Sequence, residues 1–294
     1  MNISTTDTSA MKNATMKNIA CLITGATNGI GKATAIELAA RGATIAFTAR
    51  NKELGEATKQ EIISRTGNTS VEMLFCDLSS FISIIQCCND VKARYSALHV
   101  LVNNAGVWEN QRRLSRDGVE MTFAVNHLAP FLMTNLLLDL LQSSATVHAP
   151  SRIVTVSSEA HRSATMNFDD LEGKASFSSL KAYAQSKLAN ILFTRQLARR
   201  LDAAVVTANC LHPGVVSTNL FKNFPSIVQR LIGMFMLSPE KGAATSVYLA
   251  SAPAVQTVSG KYFKNKKIVQ PSKYACDDVS AERLWEISRQ YVNL

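Results

Sequence analysis

The sequence predicts a single-domain α/β fold with a doubly wound parallel sheet, and three observations lead there. Short apolar runs recur at 19–24, 43–48, 71–76, 98–102, 152–157 and 204–210, with a shorter one near 260–264, and helical patterns separate them. The runs are continuously apolar rather than alternating, as strands buried on both faces of a parallel sheet must be. The first run passes through a glycine-rich turn straight into a helix, the opening of a right-handed crossover unit. Of the 294 residues 47% are hydrophobic, and no long polar linker, repeat or low-complexity block divides them.

Residues 1–16, rich in Ser, Thr and Asn, read as a flexible tail, leaving 17–294 as the domain. Asn18 to Ile23 reads as a buried strand running into Thr24-Gly25-Ala26-Thr27-Asn28-Gly29-Ile30-Gly31. The following helix, Lys32 to Arg41, places apolar residues at Ala33, Ile36, Leu38, Ala39 and Ala40 and stops at Gly42, a C-cap residue. Glycines that permit a tight turn at a helix N-terminus make an anion site suited to a pyrophosphate. The second strand ends in Ala49-Arg50-Asn51, and Glu53 and Glu56 come later, on the next helix. After the third strand stand Asp77 and Leu78, where Asp77 also suits the N-cap of a helix starting near Ser79. The fourth, Val100-Leu101-Val102, runs into Asn103-Asn104-Ala105-Gly106. An apolar helix over 118–141 carries Asn126, which the residue pattern alone allows to be a satisfied buried amide. Ile153 to Val156 ends in Ser157-Ser158, a hydroxyl at a strand's carboxyl end, where open α/β sheets bind ligands. Ser179 to Leu201 reads as an amphipathic helix. From Ser226 to Leu237 a stripe of Ile227, Val228, Leu231, Ile232, Phe235 and Met236 suits a core or subunit-contact helix, which leaves a homo-oligomer open, or a lid over about 217–238 covering an apolar substrate.

Tyr183 and Lys187 lie one helical turn apart, which puts a phenol beside an ammonium. A phenol with an ordinary pKa of about 10 needs roughly 4 kcal/mol of help to trade protons near neutrality, and a fixed cation is the direct way to supply it. The pair therefore reads as a general acid/base and its activator. Tyr262 and Lys266 repeat the spacing, but follow Ser259-Gly260 in an aromatic, basic stretch that suits an exposed strand or its end. They read as a decoy.

Composition narrows the alternatives. Six cysteines form no C-x-x-C pair and read as reduced residues of a cytoplasmic protein, and five scattered histidines predict no metal. No stretch reaches the roughly 20 apolar residues of a transmembrane segment, and no signal-peptide pattern is seen. The net charge of +9 suits a basic soluble surface, and no nucleic-acid motif accompanies it.

The three motifs Thr-Gly-x3-Gly-x-Gly at Thr24 to Gly31, Asn-Asn-Ala-Gly at Asn103 to Gly106 and Tyr183-x3-Lys187 resemble the short-chain dehydrogenase/reductase family, in that family's order and over nearly the whole chain. His212-Pro213-Gly214-Val215 is similar to the family's turn beside the nicotinamide. Arg152 to His161 and Phe123 to Leu128 look most like its retinol dehydrogenase branch. The resemblance implies a Rossmann fold and hydride transfer between a nicotinamide and a carbonyl or alcohol of an apolar small molecule, of retinoid, steroid or xenobiotic type. It implies Asn126, Ser158 (rather than Ser157), Tyr183 and Lys187 as the catalytic group, with Asn126 holding a relay water and Lys187 the ribose hydroxyls. On the cofactor side it implies the Thr24–Gly31 turn, Asp77 with Leu78 at the adenine, Asn104, Ala105, Gly106, Pro213, Gly214 and Val215, and Thr218 with Ser217 as competitor. NAD-preferring relatives carry a carboxylate where this chain has Ala49, and the guanidinium of Arg50 suits a 2′-phosphate, so NADP(H) is expected over NAD(H). The N-terminal membrane anchor of many retinol dehydrogenases is not expected here. Two other functions fit the motifs: reduction of an activated carbon-carbon double bond, as in protochlorophyllide reductases, and non-catalytic dinucleotide sensing. Retention of all four catalytic-type residues argues against the sensor.

Overall fold

The computed structural model describes residues 15–146, 149–214 and 237–294. Their strands are β1 (Ala20–Ile23), β2 (Thr44–Ala49), β3 (Val71–Phe75), β4 (Val100–Asn103), β5 (Ser151–Val156), β6 (Val206–His212), β7 (Tyr262–Lys264) and β8 (Lys267–Ile268). They form one sheet in the order β3-β2-β1-β4-β5-β6-β7-β8, and only the β7–β8 pairing is antiparallel. This is the Rossmann arrangement the sequence predicts. The seven apolar runs all become parallel strands. The two-residue β8 was not anticipated; Asn265 and Lys266, at φ 52° and 63°, make the tight turn that folds it back.

Helices α1 (Gly29–Ala40), α2 (Lys52–Thr66), α3 (Phe81–Arg94), α4 (Met121–Phe123), α5 (Ala129–Leu136), α6 (Leu138–Ser144), α7 (Ser179–Arg200), α8 (Pro239–Ser251) and α9 (Asp278–Val292) cover both faces. One core gathers Ile23, Ile45 and Phe47 against Ala35 and Leu38 of α1 and Val247 of α8. The other packs Leu22, Leu101 and Ile153 under Leu128, Phe131, Leu188 and Leu192. Full burial on both faces is why the strands are continuously apolar.

Two boundaries differ from expectation. Met16, assigned to the tail, is buried, and its N–H donates to Arg41 O at 2.8 Å, so it packs with the domain. The helix expected over 118–141 starts at Met121, passes through a π-turn at Ala124–Leu128, and bends by 53° between Leu136 and Leu138. Pro130 has no N–H to give the Asn126 carbonyl, so the ladder shifts there, and Ala129 N–H bonds to Ala124 O instead. Among the described residues no single helix is long and apolar enough to cross a membrane. Apart from Leu237 and Ser238, the 217–238 segment lies outside the described residues.

Candidate active site

The strand order reverses between β1 and β4, and the crevice beyond their carboxyl ends is where such sheets bind ligands. A cleft of about 630 Å³ opens there. It reaches from Arg50 and Asp77, beyond β2 and β3, across the glycine turn to Ser158, Tyr183, Lys187 and His212, beyond β5 and β6.

The glycine turn is built for close approach. Gly25 has φ 66°, and a Cβ there would come within 2.9 Å of Ala105 Cα. Asn104 locks the turn from across the switch point, its Nδ2 donating to Thr24 O at 2.9 Å and Gly25 O at 3.2 Å. Thr24 Oγ1 accepts from the N–H groups of Asn104 and Ala105 at 3.0 and 3.1 Å. Thr24 is therefore buried behind the wall. Thr24 and Gly29 shape the turn, whereas Gly25, Asn28, Ile30 and Gly31 line the cleft. Asn28 precedes α1 without a side-chain cap, which leaves the first-turn N–H groups facing the cleft to an anion. That arrangement fits a dinucleotide pyrophosphate.

Arg50 stands exposed at the end of β2, with the buried Ala49 before it. Asp77 is not the N-cap of α3, a role that Ser80 takes. Its Oδ1 accepts from Ser79 N and Oγ at 3.0 and 2.7 Å, and its Oδ2 meets Arg116 Nε at 3.0 Å. Burial opposes ionisation of Asp77, but those hydrogen bonds and the charges of Arg116 and Arg50 hold its pKa below the usual value. Leu78, Ala105 and Gly106 line the same cleft, as do Pro213 and Gly214. Gly214 has φ 91°, and a Cβ there would come within 2.5 Å of Leu237 Cδ1. Val215, Ser217 and Thr218 lie outside the described residues.

At the other end α7 presents Tyr183 and Lys187, exposed by only 7% and 3%. Lys187 Nζ donates to Val156 O at 3.1 Å and lies 5.7 Å from the phenol centroid. Burial pushes the phenol up to about 12 against the Ser158 hydrogen bond, and pushes Lys187 down to about 8. The direction is opposite to the expectation that Lys187 brings Tyr183 toward neutrality: desolvation raises the phenol, and the group that opposes it is Ser158. Ser158 begins a 3₁₀ turn, and its Oγ accepts from Ala160 N at 3.2 Å. Ser157, the competitor, is spent on a 2.7 Å bond to Lys187 O. His161 steadies Ser158: its Nδ1 lies 2.6 Å from Ser158 O, and its Nε2 accepts from Ser272 N at 3.1 Å. Both bonds are satisfied by one neutral tautomer with the proton on Nδ1.

Asn126 sits behind the cleft wall rather than in it. Its Oδ1 accepts from Val107 N at 2.7 Å, while Nδ2 donates to Val107 O at 3.0 Å and Ser186 Oγ at 2.9 Å. The amide thus clamps the chain just after Gly106. Sequence reasoning missed Trp108, Met121, Val125 and Ala160, which give this end its apolar lining, and His212, which it placed only within a turn. Nothing in local spacing pointed to Met121, Val125 and Ala160; for Trp108 the available signal was its position two residues past Gly106.

Comparison with known proteins agrees with this geometry. The model of a family described as short chain dehydrogenase matches residues 19–227. Retinol dehydrogenase 14 of Homo sapiens is 42% identical over 294 residues, covering 93% of this chain and 86% of the relative. An uncharacterized protein from Mycobacterium paratuberculosis has a similar structure, with a TM-score of 0.78 at 33% identity over 97% of each chain. A blue fluorescent protein from a metagenomic library, solved in complex with NADPH, gives a TM-score of 0.66 at 26% identity over 84% of this chain and 96% of its own.

Proposed function

We propose that this chain, which belongs to the short chain dehydrogenase family and within it is similar to the retinol dehydrogenases, transfers a hydride between NADP(H) and the carbonyl or carbinol carbon of an apolar, retinoid-type small molecule. Family membership itself makes the chain an oxidoreductase that uses a nicotinamide cofactor. The finer reading rests on one observation: a single cleft joins Ser158, Tyr183 and Lys187 to an uncapped helix N-terminus and Arg50. The bound cofactor supplies or accepts the hydride.

The chain's own residues handle the oxygen. Tyr183, a neutral phenol at physiological pH, donates its proton to the substrate oxygen in reduction and recovers it in oxidation. Ser158 Oγ accepts from Ala160 N, and its O–H, which bears on the Tyr183 phenol, can donate to the same oxygen once substrate is bound. Lys187, held on Val156 O, keeps two further N–H donors for the cofactor ribose hydroxyls. Trp108, Met121, Val125 and Ala160 offer an apolar wall to the substrate. The unpaired cysteines, five buried and one half-buried, support a cytoplasmic setting, which recovery only in a membrane fraction would overturn.

NADPH consumption with all-trans-retinal and a panel of ketones tests the activity. A chain that binds NADPH and reduces none of them would sink the proposal. Cofactor choice turns on Arg50, whose exposed guanidinium can fork onto a 2′-phosphate. Charge-assisted bonds of roughly 1.5–3 kcal/mol predict that Arg50→Ala weakens NADPH by about 10- to 150-fold and leaves NADH nearly unchanged. Equal losses for both cofactors, or tighter NADH binding by the wild type, would show that Arg50 does not read the phosphate.

A further inference from the structure

The proposed chemistry leaves one close contact of Tyr183 unused. The Trp108 indole lies on the Tyr183 ring with centroids 4.4 Å apart and planes within 5° of parallel. Its Nε1 donates to Ser179 Oγ at 2.7 Å, and Ser179 stands one turn before Tyr183 on the same face of α7. Ser179 in turn donates to Glu109 O at 2.7 Å, and Asn126 clamps Val107 on the other side. The backbone is therefore tied down on both sides of Trp108, and the indole is fixed by its polar edge as well as its face. A ring held in this way confines the phenol to one plane. It also removes from that face the water that would solvate a phenolate.

We propose that Trp108 is a positioning residue for Tyr183: the stacked indole fixes the phenol plane and keeps water off its face, so the hydroxyl meets the substrate oxygen as a neutral donor. The inference rests on the reading of Tyr183 as the proton donor. Burial pushing that phenol up to about 12 acts in the same direction. Among the described residues, the charged and titratable groups sharing the cleft end with Tyr183 are Lys187 on its own helix, His212 at the end of β6, and Glu109 with Arg113 in the loop after β4. Burial pushes His212 down to about 4, which keeps it neutral, and Arg113 Nη1 lies 3.6 Å from Glu109 Oε2. Lys187 can titrate in the working range, so its state is read separately, from the pH dependence of cofactor binding.

The test compares wild type, Trp108→Phe and Trp108→Leu, each with and without Tyr183→Phe. The near-ultraviolet phenolate absorbance that disappears with Tyr183→Phe reports ionisation of this one phenol without any turnover. Trp108→Leu should ionise at lower pH than wild type, and Trp108→Phe should follow the wild type. With NADPH and all-trans-retinal, kcat/KM should fall about 3- to 10-fold in Trp108→Leu and recover in Trp108→Phe, at unchanged NADPH Kd. Ionisation of Trp108→Leu at the wild-type pH would overturn the inference, as would equal losses in the two variants. Loss of NADPH binding in Trp108→Leu would also overturn it, since the ring would then support the cleft wall rather than the phenol. High activity in Tyr183→Phe would instead remove the reading of Tyr183 as donor, an outcome the optical titration keeps apart.

Discussion

Tyr183-x3-Lys187 and Tyr262-x3-Lys266 are one pattern used twice, and the backbone beneath each decides what it means. On α7 four residues make one turn, so the ammonium lies 5.7 Å from the phenol ring and both side chains are buried in the cleft wall. On β7 the period is two, so the cation that shares a face with Tyr262 is Lys264, while Lys266 is exposed in the turn beyond the strand. Tyr262 itself is not the exposed residue its sequence suggested. It is 2% exposed, and its hydroxyl donates to Glu159 Oε1 at 2.8 Å, while Lys264 Nζ meets Glu159 Oε2 at 3.1 Å. A phenol committed to a carboxylate is a poor donor to anything else: burial and that anion both push Tyr262 up. The spacing carries chemistry only where the helical period turns it into proximity and no anion has already claimed the proton.

The largest difference between the two should appear on removing the hydroxyls. Tyr183→Phe should keep NADPH binding, since the ring still stacks, and lose at least about 10²-fold in turnover, the low end for a positioned acid/base. Tyr262→Phe should lose little turnover. Comparable losses in steady-state assays of the two variants would break the comparison. The lysines sharpen it. Because burial takes Lys187 to about 8, its charge is present below that pH and fades above it, so affinity for the anionic cofactor should fall as pH rises through 8. Lys187→Met should weaken NADPH by about 10-fold or more at neutral pH and flatten that dependence. Lys266→Met should do neither. A titration series from acid to alkaline pH decides it, and a slope that survives in Lys187→Met would assign the alkaline loss elsewhere.

What the sequence revealed follows from which interactions are local. Parallel strands buried on both faces stand out as continuous apolar runs, so β1 to β7 were legible, whereas β8 is too short to leave a pattern. The 118–141 helix was over-read because apolar content reports burial and not continuity; Pro130 was the visible warning. A helical turn singled out Tyr183 and Lys187, and a strand end singled out Ser157-Ser158, with the family resemblance choosing Ser158; the structure places Ser158, Tyr183 and Lys187 on one cleft. Asn126 was named through the family resemblance, but its clamp on Val107 was not legible, since that bond joins residues 19 apart in the chain. The same holds for Trp108, whose partner Tyr183 comes 75 residues later. The direction of the Tyr183 shift was missed because spacing predicts a distance and says nothing of the dielectric around it.

The smallest expected effect is on stability, at the decoy tyrosine. Burial alone would raise the Glu159 pKa, but donors from Tyr262, Lys264 and Arg162 overcome it and hold the carboxyl at about 2. An unfolded glutamate titrates at about 4.3. A folded-state value depressed in this way contributes stability above the unfolded value, and the contribution is lost as pH falls from about 4 toward 2. Removing one donor with Tyr262→Phe should cost about 1–2 kcal/mol at pH near 7, between a typical hydrogen bond and the low end of the roughly 1.5–3 kcal/mol for one to a charged group. The cost should shrink in acid, where Glu159 becomes protonated in the variant and then in the wild type. Urea unfolding of both proteins at neutral and acid pH measures the difference. An equal cost at both would mean that Tyr262 stabilises the β7 edge through its ring and not through the bond to Glu159.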